Sequence, residues 1–240
     1  MGNATAAMLV IGDEILSGRT RDSNMHHLAC ELTKHGLDLK EARVVSDERD
    51  AIIGAVRELS GKYTHVFTSG GIGPTHDDIT ADCVAEAFGK GIGVRADAAE
   101  ILGAHYAARG VEFTEARKRM ARIPDEATLI DNPVSAAPGF TLENVHVMAG
   151  VPSVFEAMVA GVLATVAKGQ PLLSQSLTIH KPESEIAEPL RALAAEFKEL
   201  SFGSYPFQKD GAYGVNVVIR GFDGAEVETA MVRLAGIFGA

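Results

Sequence analysis

Two adjacent aspartates, Asp77 and Asp78, close the run Thr68-Ser69-Gly70-Gly71-Ile72-Gly73-Pro74-Thr75-His76. An apolar stretch, His65-Val66-Phe67, precedes this run, and a helical pattern from Ile79 to Phe88 follows it. Glycines between a strand and a helix let backbone N–H groups close around an anion, and the helix N-terminus adds positive potential. Two neighbouring carboxylates repel an anion unless a divalent cation lies between them and the ligand. The run therefore reads as a metal-assisted phosphate or pyrophosphate site. The competing reading is a glycine-rich turn in which Asp77 supplies the favourable charge at a helix N-terminus. That role needs one carboxylate, which leaves Asp78 as the strongest catalytic candidate.

Familiar nucleotide fingerprints are absent. The loop is Gly-Gly-x-Gly-Pro, which is not the G-x-G-x-x-G of dinucleotide folds, and no G-x-x-x-x-G-K-[ST] occurs. Neither a G-x-S-x-G elbow nor an H-E-x-x-H helix is present.

Elements that would position such a loop are legible on both sides of it. Ala6 to Ile11 is a continuous apolar run ending at Gly12, the pattern of a strand buried on both faces. Met25, Leu28, Ala29 and Leu32 recur at helical spacing before Gly36. Leu39 to Val45 alternates as a strand. Ser46 and Asp47 stand at a cap position, and Ile52, Ile53, Val56 and Leu59 mark the next helix. Residues 96–123 predict two helices, parted at Gly110 and restarted near Thr114. The cluster Glu115-Ala116-Arg117-Lys118-Arg119 is either a solvated face or a phosphate contact. Extended segments follow at Ala127–Ile130, Gly139–Leu142 and Val145–Met148, then a helix through Val166.

This alternation predicts an α/β three-layer sandwich with a mostly parallel sheet over residues 6–168. Residues 1–5 are expected to be disordered. Residues 169–240 predict a small α+β domain: strand 176–179, helix 184–197, strands 202–205 and 213–219 joined near Asp210-Gly211, and helix 225–238. Ligands of open α/β sheets bind beyond the carboxyl ends of the strands. Four segments fall there: Gly12-Asp13-Glu14, Ser46-Asp47, Ser69 to Pro74, and Gly150-Val151-Pro152-Ser153.

The net charge is −10, and from residue 172 onward six Lys/Arg face nine Asp/Glu. Such a balance opposes nucleic-acid and anionic-membrane partners. No apolar run reaches the roughly 18 residues of a membrane span. The N-terminus lacks the basic region of a secretory signal. Cys30 and Cys83 both fall in helical patterns without metal-like spacing, so both are expected to be buried free thiols in a reducing cytoplasm.

The motifs taken together resemble the molybdopterin-binding (MoCF) domain, and within it the CinA-like (competence/damage-inducible protein) group. Val10 to Leu16 with Gly18, Asp22 and Asn24 resembles the start of that domain. Thr68 to Thr80 resembles its most characteristic motif. Asn132-Pro133, Ala137-Pro138-Gly139-Phe140 and Gly150-Val151-Pro152-Ser153 resemble its later loops. Gly203-Ser204-Tyr205-Pro206 is similar to a domain attached to some FAD synthases. The sequence departs from the usual pattern at Ala149, Val154 and Ser135, where proline, glutamate and glycine are common.

The resemblance implies a pterin-phosphate or nucleotide ligand and metal-dependent cleavage of a nucleotide pyrophosphate of the ADP-ribose or FAD class. The alternative it leaves open is a non-catalytic molybdopterin-binding protein of molybdenum cofactor biosynthesis. It also implies a homo-oligomer, with a dimer favoured. CinA proteins often carry a further amidohydrolase domain, an activity not expected of a chain ending at Ala240.

Asp78, Asp47 and Asp77 are the catalytic candidates. Asp78 with Asp47 or Asp13 would hold a divalent cation, Mg²⁺ or similar. The ligand-binding candidates are Gly12, Asn24, Ser69, Gly70, Gly71, Gly73, Pro74 and Thr75, with Pro138, Gly139, Gly150, Pro152 and Ser153 from the later loops. For Asp47 a plain helix-capping role weighs equally on residue grounds.

Overall fold

The computed structural model describes residues 2–209 and 211–239, which separate into two compact units, one ending at Gly169 and the other starting at Gln170. In chain order the first unit holds β1 (Thr5–Ile11), α1 (Asp13–Leu16), α2 (Asn24–His35), β2 (Asp38–Val45), α3 (Arg49–Lys62), β3 (His65–Ser69) and α4 (Thr80–Ala87). It continues with β4 (Ile92–Val94), α5 (Ala96–Ala108), α6 (Glu115–Lys118), β5 (Arg122–Pro124), β6 (Thr128–Ile130), β7 (Gly139–Leu142), β8 (Val145–Met148) and α7 (Pro152–Thr165).

Six of these strands form one sheet in the order β2-β1-β3-β8-β7-β6. The first four run parallel, and β7 and β6 extend the sheet antiparallel. Alternation along β1 explains the layering. Ala7, Leu9 and Ile11 point into a core with Ile52, Val56, Leu59 and Leu102 from α3 and α5. Ala6, Met8 and Val10 point the other way, onto Leu28 and Leu32 of α2 and Phe155 and Met158 of α7. Both faces are therefore covered, which is why β1 shows no polar alternation. Gly36 closes α2 in the left-handed region at φ 78°, a conformation that costs a glycine little.

Several expectations change. β1 begins at Thr5, inside the stretch expected to be disordered, because Thr5 pairs with Asp38 of β2. The helix restarted at Thr114 is only four residues long. Thr114 does cap it, accepting from Arg117 N, but the chain then turns through Arg119–Ala121 into β5, which pairs with β4. Met25 is exposed, and Asn24 takes the buried position at the start of α2. Cys83 is buried but Cys30 is exposed, since it points away from the Leu28/Leu32 face.

Low on the sheet, His65 Nδ1 lies 3.2 Å from His146 Nε2, and His146 Nδ1 lies 2.9 Å from Thr141 Oγ1. Burial, together with the neighbouring His65, pushes the His146 imidazole down to about 4. Burial lowers His65 as well.

The second unit is β9 (Leu173–Ile179), α8 (Glu183–Glu196), β10 (Ser201–Lys209), β11 (Ala212–Gly221) and α9 (Gly224–Phe238). Its antiparallel sheet, β10-β11-β9, packs one face on α8 and α9 through Ile186, Leu193, Val217, Ile219, Val227 and Leu234. β10 is longer than the sequence pattern suggested, because a ladder continues to Lys209↔Ala212. Asp210 of the expected hairpin turn lies outside the described residues. No described helix is long and apolar enough to cross a membrane.

Candidate functional site

The four parallel strands end along one edge, and their loops touch there. Asp13 N donates to Asp47 Oδ2 at 2.9 Å, which ties the end of β1 to the end of β2. Asn24 Nδ2 donates to Ser69 Oγ and to Gly150 O, both at 2.8 Å, linking α2 to the ends of β3 and β8. A Cβ on Gly150 would come within 3.3 Å of Gly70 Cα.

The glycine loop is shaped by close approach. Gly70 and Gly71 have φ of 109° and 70°. A side chain on Gly70 would overlap Ile11 O, and one on Gly71 would overlap Thr80 Oγ1. Thr80, the first residue of α4, clamps the loop by donating from its hydroxyl to Gly70 O and from its N–H to Gly71 O, both at 3.0 Å. A Cβ on Gly73 would lie 2.6 Å from Asp78 Oδ2, so glycine there makes room for the carboxylate.

Neither aspartate of the pair caps α4. The helix begins at Thr80 with Ile79 before it, and no side chain bonds its open N–H groups. Asp78 turns back to the loop, where Oδ2 accepts from Thr75 N at 2.8 Å and Thr75 Oγ1 at 2.5 Å. Asp77 and His76 are exposed, 3.8 Å apart. Asp47 does not cap α3 either, because Glu48 occupies that position without a side-chain bond. The Asp47 carboxyl is instead held above its ordinary value, first by burial and then by the charges of Asp13, Glu14 and Asp77, against the opposing pull of the Asp13 N–H. Those four acids form one electronegative patch. Among the described residues no three His, Cys, Asp or Glu side chains converge as the ligand set of one ion.

Two clefts flank the loop. One is lined by Gly71, Gly73, Asp78, Arg119, Arg122 and Pro138. The other is lined by Glu14, Arg21, Asn24, Ser69, Gly150 and Pro152. Among the sequence candidates, Gly139 packs as a strand residue against Val147, while Pro74, Thr75, Pro152 and Ser153 are exposed. Asn132 knits its own loop through bonds to Ser135 and Ala137 O.

Arg119 is the residue that sequence reasoning undervalued. Its Nη2 reaches Asp78 O at 3.4 Å and its buried Nε has no partner. The charge cluster at 115–119 was its only trace in the sequence. Arg122 in the same cleft is bound by Asp82. Among the described residues three buried side-chain polar atoms lack partners: Asn24 Oδ1, Thr68 Oγ1 and Arg119 Nε. Arg119 is bonded to Asp78 of the loop and Asn24 to Ser69 at its start, and Thr68 is the next-to-last residue of β3, just before it. Buried polar groups are ordinarily satisfied, so a gathering of orphans marks a place built for something else.

Residues 7–172 match the family model of the probable molybdopterin binding domain. The chain belongs to the molybdopterin-binding-domain family. Within that family it is CinA-like. The crystal structure of the protein CinA from Thermoplasma acidophilum is 32% identical with a TM-score of 0.62, covering 68% of this chain and 98% of that one. Residues 171–239 match the middle domain of FAD synthase. A probable FAD synthase of Caenorhabditis elegans is 31% identical over 254 residues, 96% of this chain and 49% of the relative. A protein of Aeropyrum pernix is 39% identical over 157 residues, 64% of this chain and 59% of the relative. The chain thus spans between about half and three fifths of these relatives' lengths. The family's domain accounts for the parallel sheet and its rim, and the FAD-synthase-like segment coincides with the second unit.

Proposed function

We propose that the strand-end rim binds a pterin phosphate or a nucleotide pyrophosphate and hydrolyses the pyrophosphate, with ADP-ribose and FAD as the substrate class. The observation that carries this reading is the gathering of three unpartnered buried polar atoms around a glycine loop whose backbone is held open by Thr80 and Asp78. Backbone N–H groups of Gly71 and Gly73 and the Arg119 guanidinium suit the oxygens of one phosphate. Asp78, fixed by its two bonds from Thr75, borders the same cleft. Asp47, whose carboxyl is held above its ordinary value by burial and its neighbours, suits a proton acceptor.

The acidic patch suits a hard cation that is held by one or two carboxylates and completes its shell with water and phosphate oxygens, the habit of Mg²⁺. Asp78 with Asp47 or Asp13 would hold it, and it would supply neutralisation of the pyrophosphate charge. The match of residues 171–239 to a FAD synthase domain supports a nucleotide as substrate. The family's description supports the second reading, a molybdopterin binder without turnover.

A panel of ADP-ribose, FAD and related pyrophosphates, each with Mg²⁺, Mn²⁺ or EDTA, tests the proposal, with molybdopterin titrated calorimetrically in parallel. Cleavage abolished by EDTA is the expected result. Cleavage equal with and without EDTA sinks the metal role. Tight molybdopterin binding with no cleavage of any pyrophosphate establishes the second reading.

A further inference from the structure

Asn24 is only 4% exposed, yet one of its two polar atoms is unused. Its orientation is not arbitrary. One end of the amide meets Gly150 O, which can only accept, so that end is the NH₂ group and the other end is Oδ1. Oδ1 is therefore an acceptor without a donor. The same NH₂ group donates to Ser69 Oγ, which leaves the Ser69 hydroxyl proton free to be given elsewhere. Asn24 and Ser69 both line the cleft between α1, the loop after it and the start of α7. The surface beside that cleft carries large apolar side chains: Leu16 of α1, Met25 next to Asn24, and Val151 before α7 are 55%, 41% and 60% exposed.

An acceptor beside a donor, between apolar flanks, complements a planar heterocycle whose edge presents an N–H next to an acceptor. We infer that Asn24 and Ser69 read such an edge, so that the base or pterin of the ligand enters this cleft while its phosphates lie on the glycine loop. The lactam of a pterin or flavin and the amino-pyrimidine edge of adenine share that chemistry. A bare phosphate, whose oxygens at neutral pH mostly accept, does not. This inference rests on the proposed ligand class and assigns which end of the ligand is recognised, and by which atoms. The acceptor is fixed in place by Gly150 before any ligand arrives, so a ligand without the matching donor leaves a buried oxygen unpaired, and sites of that kind discriminate strongly.

The test compares inorganic pyrophosphate, ADP, and a pterin phosphate for binding to the full chain by calorimetry, with Asn24→Leu and Ser69→Ala alongside. At least one heterocyclic ligand should bind the unaltered protein about tenfold or more tightly than pyrophosphate, and whichever does so identifies the source of the edge. In both variants that advantage should shrink to within about twofold, while pyrophosphate affinity changes by less than about twofold. Should Asn24→Leu fail to fold, as judged by circular dichroism, Ser69→Ala decides, since it removes only the donated proton's oxygen. A heterocycle advantage that survives in the folded variants overturns the inference, as does an unaltered protein that binds heterocycles no better than pyrophosphate. Failure of the unaltered protein to bind any of the three instead removes the phosphate-site reading on which the inference stands.

Discussion

Acidification should weaken the first unit through His146, by an amount that can be worked out. The imidazole is neutral in the folded protein down to about 4, whereas in the unfolded chain it takes its ordinary value of 6.5. Charging the ring is unfavourable because it is buried and His65 stands beside it. Between the two values the unfolded chain binds more protons, so stability rises with pH and is lost as pH falls from 6.5 toward 4. The full interval corresponds to about 3 kcal/mol at about 1.36 kcal/mol per pH unit. At about pH 5 roughly 2 kcal/mol of that is already lost, against almost none at about pH 7.5. Burial lowers His65 as well, so its contribution has the same sign. Asp47, held above its ordinary value, acts in the opposite sense. The assay must therefore isolate His146. Urea unfolding of the unaltered protein and of His146→Phe at the two pH values does so, because the other groups largely cancel in the difference. The variant's loss on acidification should be smaller by roughly 2 kcal/mol. Ring-proton NMR should show His146 still neutral at about pH 5. Equal losses in the two proteins, or a His146 ring titrating near its ordinary value, would refute the reasoning.

The remaining predictions concern the rim. Gly71→Ala should lose ligand binding and destabilise the protein by at least about 1–2 kcal/mol, since alanine resists the positive φ and its methyl meets Thr80; a variant that melts and binds unchanged contradicts this. Asp47→Asn should raise the melting temperature while abolishing turnover, because the amide still accepts from Asp13 N–H and no longer repels Asp13, Glu14 and Asp77; a lower melting temperature would show that the acidic patch is not strained. Arg119→Met should weaken phosphate affinity and flatten its salt dependence with little effect on stability, as the guanidinium leaves one N–H unpaired already; unchanged affinity would remove Arg119 from the site. Asp78→Asn should reduce turnover while circular dichroism stays native, because the amide oxygen can still take a bond from Thr75; full activity in this variant would end the catalytic role of Asp78.

Much of the fold was legible because its signals are local. The apolar run before Gly12 reads as a strand covered on both faces, and Leu28 with Leu32 before Gly36 as an inward helical stripe that stops there, although Met25 of the same stripe is exposed. What failed depended on contacts distant in sequence. The residues after Thr114 have helical composition, yet the chain leaves the helix because β4 offers an edge for Arg122–Pro124. Asp47 stands where a capping residue should, but the Asp13 N–H, 34 residues away, claims its carboxylate. Asp77 and Asp78 adjoin in sequence, and only the fold gives Asp78 both the N–H and the hydroxyl of Thr75 while Asp77 stays largely exposed.

By itself the sequence determined the alternation of strands and helices, the glycine loop between β3 and α4, and the acidic residues at the strand ends, since each follows from residue type and spacing. Only the tertiary structure decided which polar atoms are satisfied. Asn24, Thr68 and Arg119 carry the same groups in the unfolded chain, where water serves all of them. Folding removes that water, gives Asn24 NH₂ to Ser69 and Gly150, and leaves an oxygen, a hydroxyl and a guanidinium nitrogen unmatched around one loop. Whether a polar atom is left over depends on every element packed against it, and no stretch of sequence contains that sum.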